Sequence, residues 1–221
     1  MPSDKYTIRP FEAGDVAATG ELLFTQKLGL TINRLLFKNW PNGEVQRKNY
    51  TSTLANLDPA TMESLTVVEN ASGEIVGHLT MTRKKPAPKG EGPGNGNDNG
   101  KEGEIPDYFN PDVLSTVMKV AKDLDAVMKD TDHIELTYII VAPEHRGHGL
   151  GQAMLSHVVN KAKSEGLPVV LVSEPQAYGY WVKKGFKDTK HLDIDLAQWA
   201  APYSGFGAFR LSGMILNAGP D

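Results

Sequence analysis

The stretch from Ile134 to Val172 restricts the fold of this chain more than any other. Ile134 to Val141 is an apolar run rich in Ile and Val, long enough for a buried strand. After it comes Arg146-Gly147-His148-Gly149-Leu150-Gly151. From Leu150 to Glu165, the residues Leu150, Ala153, Met154, Val158 and Ala162 fall on one helical face, and Gly166 supplies a C-cap. Pro168-Val169-Val170-Leu171-Val172 then reads as a second buried strand. Strand, helix, strand in this order is a βαβ unit, so the two strands should be parallel neighbours. The glycines leave backbone N–H groups uncovered where a helix begins, and the helix dipole adds positive charge there. The junction therefore suits a phosphate or pyrophosphate.

The flanking sequence supplies further elements. Tyr6 to Arg9 reads as a short strand, and Asp15 as the N-cap of a helix over 16–27. A second helical stretch covers 44–57. Residues 65–69 and 74–81 flank Asn70-Ala71-Ser72-Gly73, a β-hairpin signal. Residues 84–104 carry Pro86, Pro88, Pro93 and many glycines, with no aliphatic side chain larger than alanine. Such a stretch buries too little surface to offset its ordering entropy and reads as a disordered loop. Residues 111–129 form an amphipathic pattern behind Asn110 and Pro111, an N-cap followed by proline at the first helical position. Its apolar face is expected to pack on the domain, with a wall of the acceptor pocket as the sharper alternative. A helix over 175–184 and strands over 186–196 and 208–216 complete the order.

Composition removes several function classes. A formal net charge of −4 gives no basic field for nucleic acid. With no cysteine there is no disulfide, thiolate metal site or cysteine nucleophile. No apolar run reaches the roughly 18 residues a membrane helix needs, so no membrane partner is expected. Met1-Pro2-Ser3-Asp4-Lys5 lacks the apolar core of a signal peptide, which makes the cytoplasm the expected location, with the nucleus left open.

Three glycine-rich signatures compete for the hexamer. A dinucleotide fingerprint needs a third glycine where Gln152 stands. A P-loop needs Gly-Lys-Ser/Thr, and Gly151-Gln152-Ala153 does not supply it. What remains is Arg146-x-x-Gly149-x-Gly151 behind a strand ending Val141-x-Pro143-x-x-Arg146. Here the chain resembles the GCN5-related N-acetyltransferase (GNAT) family. Leu136, Ile139, Val141 and Pro143 match the family's strand signature. Ala177, Tyr180-Trp181 and Gly185-Phe186 match its downstream pattern. The likeness runs from about Ile134 to Phe186. It implies an α/β fold, a mixed central sheet of six to seven strands flanked by helices. One domain would span 1–221, with the 84–104 loop and the 111–129 helix as insertions.

The resemblance also implies acetyl-CoA as co-substrate, and no metal. Its pyrophosphate would rest on the main chain of Arg146, Gly147, His148, Gly149, Leu150, Gly151 and Gln152. Its pantetheine arm would pair like an added strand with Ile139, Ile140 and Val141, bordered by Glu174 and Trp181. Arg146 either adds charge or is a solvated loop residue. The Val141 N–H is the expected oxyanion donor.

Acetyl transfer to a primary amine needs a base, an oxyanion site and a proton for the leaving thiolate. Glu135 is the expected base. It is a carboxylate in a strand of Ile, Leu, Thr, Tyr and Val, placed like the glutamate base of histone-modifying family members. Enclosure of that kind makes a carboxylate more basic. Pairing with a lysine is the competing reading, and Glu174 is the second candidate. The family's acid tyrosine is replaced by Trp181, which cannot give up its indole proton. Tyr178, one turn back on the same face, and Tyr180 are then the candidate acids. This departure keeps a second function open: a CoA-binding sensor or scaffold without transferase activity. A nucleotide-binding enzyme is a third reading. The acceptor is a small-molecule or peptide amine of unread identity. Trp40, Tyr50, Tyr108, Phe109, Tyr203 and Phe206 are candidate pocket aromatics or packing residues. Oligomeric state stays open, a homodimer included.

Overall fold

The computed structural model describes residues 4–86 and 105–217, so most of the expected loop, 87–104, lies outside the described residues. Seven strands make one sheet: β1 (Tyr6–Pro10), β2 (Met62–Glu69), β3 (Ile75–Lys84), β4 (His133–Val141), β5 (Val169–Ser173), β6 (Lys187–Asp195) and β7 (Ala208–Leu216). Their order is β1-β2-β3-β4-β5-β7-β6, and β4 and β5 are the one parallel pair. The βαβ unit thus sits at the centre of an otherwise antiparallel sheet. Lys84 closes β3 rather than opening a loop. Phe186 is a buried core residue ahead of β6, its N–H bonded to Trp181 O at 3.1 Å.

Six helices cover the sheet: α1 (Val16–Lys27), α2 (Asn33–Leu36), α3 (Gly43–Ala55), α4 (Pro111–Asp125), α5 (Leu150–Glu165) and α6 (Pro175–Lys183). α5 buries Leu150, Met154, Leu155, Val158 and Ala162 against Ile134, Leu136 and Leu171, the main core. Gly166 ends it at φ 68°, a left-handed turn that suits glycine. On the other face, α1 and α3 close a smaller core through Leu23, Phe24, Tyr50 and Leu54, against Tyr138 and Ile140. A third core holds α4 to the far end of the sheet, where Val113 and Leu124 meet Ile194, Leu196, Phe209 and Leu211. The predicted cap is present, with Asn110 Oδ1 accepting from Asp112 N at 3.3 Å. The helix stops at Asp125, and a 3₁₀ turn, Ala126–Met128, carries on where an unbroken helix was expected. α2 was not expected, because four residues are too few to show a helical period. Among the described residues no helix is long and apolar enough to cross a membrane.

The central pair is incomplete, and this positions the site. β4 and β5 pair only at Ile134↔Val169 and Glu135↔Val170. On β4's other side, Tyr138 faces Thr80 while Leu136 faces Met81, which leaves Thr137 as a bulge. Beyond the bulge β4 and β5 have separated. Burial follows the separation: Ile134 and Leu136 are buried, and Tyr138 to Val141 are only partly covered. The sequence suggests a strand buried throughout; half of it has lost its neighbour.

Candidate active site

The free half of β4 presents main-chain groups to the gap. Ala142 N donates to Val76 O on β3 at 2.8 Å. Along an antiparallel strand the backbone groups alternate sides, so Val141 and Ile139 aim theirs into the gap. Ile140 differs from the sequence expectation. It pairs with His78 on β3 and packs its side chain under α1 and α3. Arg146 folds back onto this edge: Nε donates to Val141 O at 3.1 Å, and Nη2 to Gln26 Oε1 on α1 at 2.8 Å. Its guanidinium tethers α1 to β4 instead of standing free in the loop.

The glycine loop meets the same gap. Pro143–His145 makes one 3₁₀ turn, and Gly147 and Gly149 take φ 78° and 77°. The first bond of α5 runs from Ala153 N to Gly149 O at 2.9 Å. The N–H groups of Leu150, Gly151 and Gln152 therefore have no partner within the helix, and no acidic residue sits in its first turn. Leu150 anchors this end in the core. His148 lies exposed, its Nδ1 near His145 O and Arg146 O, with its ring edge-on to Tyr6. Gln152 is held from outside, accepting from Lys184 Nζ.

The aromatic residues of α6 separate. Trp181 is buried in the main core, edge-on to Phe186 at 5.3 Å, so it is a packing residue. Tyr178 shares its core-facing side as the helical spacing predicts. Its hydroxyl, however, donates to Asp188 Oδ2 on β6 at 2.8 Å. That bond holds the phenol above its ordinary range and turns it toward the outer strands, away from β4. Tyr180 leans over the glycine loop, and a Cβ on Gly151 would lie 3.9 Å from its hydroxyl. Of the two candidate acids, Tyr180 is the one facing the loop.

The opposite wall carries the charges. Glu135 lies on the face of β4 turned from α5, just before the bulge. Lys84 Nζ is 2.9 Å from its Oε2 and 3.6 Å from Asp125 Oδ2 on α4. Burial pulls the Lys84 ammonium down, and the two carboxylates more than offset it. The lysine pairing weighed for Glu135 is thus the arrangement present, and the carboxylate is not alone among apolar neighbours. Glu174 stands at the end of β5, in the N-cap position of α6. Its side chain accepts from Gln176 Nε2 at 2.5 Å and caps no helix N–H.

Lys27 and Tyr138 were not legible as site residues. Lys27, the last residue of α1, places Nζ 5.3 Å from the Tyr50 ring centroid and 5.4 Å from that of Tyr138. Burial pushes its ammonium below the lysine range, and Glu174 only partly counters this. Tyr50 and Tyr138 are themselves pushed up to about 12 by burial. A lysine in the last turn of a helix normally signals a solvated partner of the helix dipole, so its spacing gave no warning. Beside this cluster is a pocket of about 470 Å³, lined by Thr31, Pro175, Gln176, Leu196, Phe206 and Phe209 among others. Of the candidate pocket aromatics, Phe206 lines it. Trp40, Tyr108 and Phe109 pack on Phe37, and Tyr203 is exposed.

A central sheet splayed at one parallel pair, with a glycine-rich helix start at its open end, defines the acetyltransferase class of fold. The profile of the Acetyltransferase (GNAT) family matches residues 31–186. The chain belongs to this family. Among solved structures, the mosquito arylalkylamine N-acetyltransferase like 5b superposes with a TM-score of 0.64 at 13% identity, covering 96% of this chain and 100% of that one. A Corynebacterium glutamicum structure described as histone acetyltransferase HPA2 and related acetyltransferase gives 0.56 at 15%, covering 95% of each. Arabidopsis thaliana NAA60, solved with a bisubstrate analogue, gives 0.51 at 14%, covering 96% and 99%. At such identities the likeness is one of fold. No curated protein sequence matches the chain.

Proposed function

We propose that this protein moves an acetyl group from acetyl-CoA directly to the primary amine of a small-molecule or peptide acceptor. The observation that carries this is a convergence. The β4 edge that has lost β5, with Ile139 and the N–H of Val141, and the amides at the start of α5 that lack a partner within the helix open onto one gap. The first offers strand-like pairing to an amide-bearing arm, and the second a seat for a pyrophosphate. In the transfer, the neutral amine attacks the thioester carbonyl carbon, and the Val141 N–H stabilises the oxyanion. The carbon–sulfur bond then breaks and CoA leaves as thiolate. The proton shed by the amine passes through water to a carboxylate, Glu135 in the first instance and Glu174 in the second. The neighbouring pocket, where Thr31 and Gln176 stand beside Phe206, has a mixed polar and apolar lining for the rest of the acceptor.

The test is an acetylation screen over amines, amino acids and peptide N-termini, reading both acetylated product and amine-dependent thiol release. Product with at least one amine is expected. Acetyl-CoA binding with no product from any amine would instead establish the sensor or scaffold reading. That reading is favoured by Trp181, buried at the acid position, and by Tyr178, engaged with Asp188.

A further inference from the structure

The end of α1 is fastened over the gap. Gln26 accepts from Arg146, and the same guanidinium donates to Val141 O on the β4 edge. The next residue, Lys27, holds its Nζ between the rings of Tyr50 and Tyr138. Tyr138 follows the Thr137 bulge, where β4 and β5 part. Glu174, at the end of β5, is the charge whose field reaches Lys27 from across the gap. Among the described residues Lys27 forms no ion pair. A primary amine thus stands beside the splay, against Tyr138 on β4 and within the field of Glu174 at the end of β5.

We propose that Lys27 is itself an acyl acceptor, acetylated on Nζ by acetyl-CoA bound in the cleft of the same chain. This rests on the acetyl-CoA reading above. Only a neutral amine attacks a thioester; desolvation favours the neutral form of Lys27, while the faces of Tyr50 and Tyr138 hold its charged form. The Nζ lone pair forms the N–C bond to the carbonyl carbon, and the carbon–sulfur bond breaks. The displaced proton goes to Glu174 or water, and the CoA thiolate takes a proton from solvent. The product is an uncharged amide. It replaces an ionisable amine by a bulkier neutral amide, so acetylation of Lys27 would change what that wall can bind.

The experiment incubates the whole protein with acetyl-CoA and maps acetylation by peptide mass spectrometry, with thermal shift read on the same samples. Lys27 should be modified about tenfold faster or more than the exposed Lys48 and Lys163, because of the three only Lys27 stands beside the cleft. Heat-denatured protein under the same acetyl-CoA should lose that preference, and Lys27→Arg should lose the modification. The rate per chain should not change with protein concentration. A rate that rises with concentration means transfer between copies and overturns the same-chain step. Stabilisation by acetyl-CoA with Lys27 modified no faster than Lys163 overturns the proposal and leaves the acetyl-CoA reading intact. Neither stabilisation nor modification overturns both.

Discussion

The two walls of the cleft are built by different rules. The proposed donor wall, Ile139 to Gln152, is one continuous stretch that offers main-chain groups. Its side chains need only be absent, as at Gly149 and Gly151, or anchored, as at Leu150. The proposed acceptor wall is a collection of side chains from segments far apart in the chain: Lys27, Thr31, Tyr50, Glu135, Glu174 and Phe206. Backbone recognition tolerates most side chains but fixes where glycines must stand. Side-chain recognition fixes identities, yet at positions joined only by folding. A family can therefore hold its donor constant while its acceptor varies, and the acceptor wall is where experiments have most to decide.

The largest effect is expected there. Removing a general base costs about 10²- to 10⁴-fold in rate. Glu135→Gln and Glu174→Gln each keep size and hydrogen bonding while removing a charge. If Glu135 is the base, its variant should lose kcat/KM on that scale, with the acetyl-CoA dissociation constant unchanged and Glu174→Gln nearly active. The reverse pattern moves the base to the end of β5. Full activity of Glu135→Gln at neutral pH would reduce Glu135 to a structural partner of Lys84.

The floor beneath that wall should make stability depend on pH. His78 is wholly buried, with its ring 5.6 Å from Tyr138 and 5.0 Å from Phe11, and burial pushes it down to about 4. Unfolded, it would titrate near 6.5. Between these values the unfolded chain binds the extra proton, so stability is complete above about pH 6.5 and falls as pH drops toward 4. The loss is on the order of 3 kcal/mol. Asp15, held low by its bond to Arg9, adds its own loss only below about pH 4. Denaturant melts at pH 7, 5.5 and 4 should show the decline, and His78→Gln should flatten it between 7 and 4. An equally steep decline in that variant would mean another group governs it.

What could be read beforehand follows the same division. The hexamer, the βαβ unit, the Gly166 and Asn110 caps and the hairpin are local patterns, and each appears where its residues predict. The splay is not local. It depends on β5 having only Val169 and Val170 in register with β4, and on one extra residue, Thr137, in a strand whose sequence carries no turn or bulge signal. The partner of Glu135 was unreadable because Lys84 sits on a different strand and Asp125 on a helix. For Tyr178, helical spacing gave the correct face. Asp188, on β6, then decided where its hydroxyl went.

The smallest expected effect tests whether the donor wall is read through backbone. Gly149 has φ 77°, where a side chain costs about 1–2 kcal/mol, and nothing within 4 Å of the place a Cβ would occupy. Within the protein an added Cβ therefore meets no other atom, and the cost the protein itself imposes is backbone strain. Gly151 lies within the helix, and an added Cβ there meets only the Tyr180 hydroxyl, at 3.9 Å. Gly149→Val should weaken acetyl-CoA by about ten-fold, the size of that strain, while Gly151→Ala stays close to the parent protein; calorimetry with acetyl-CoA measures both. If Gly149→Val binds as tightly as the parent and Arg146→Ala loses affinity instead, the donor wall works through a side chain. The contrast between the two walls would then fail on the side where it looked most secure, because Arg146 would hold the donor as well as tether α1 to β4.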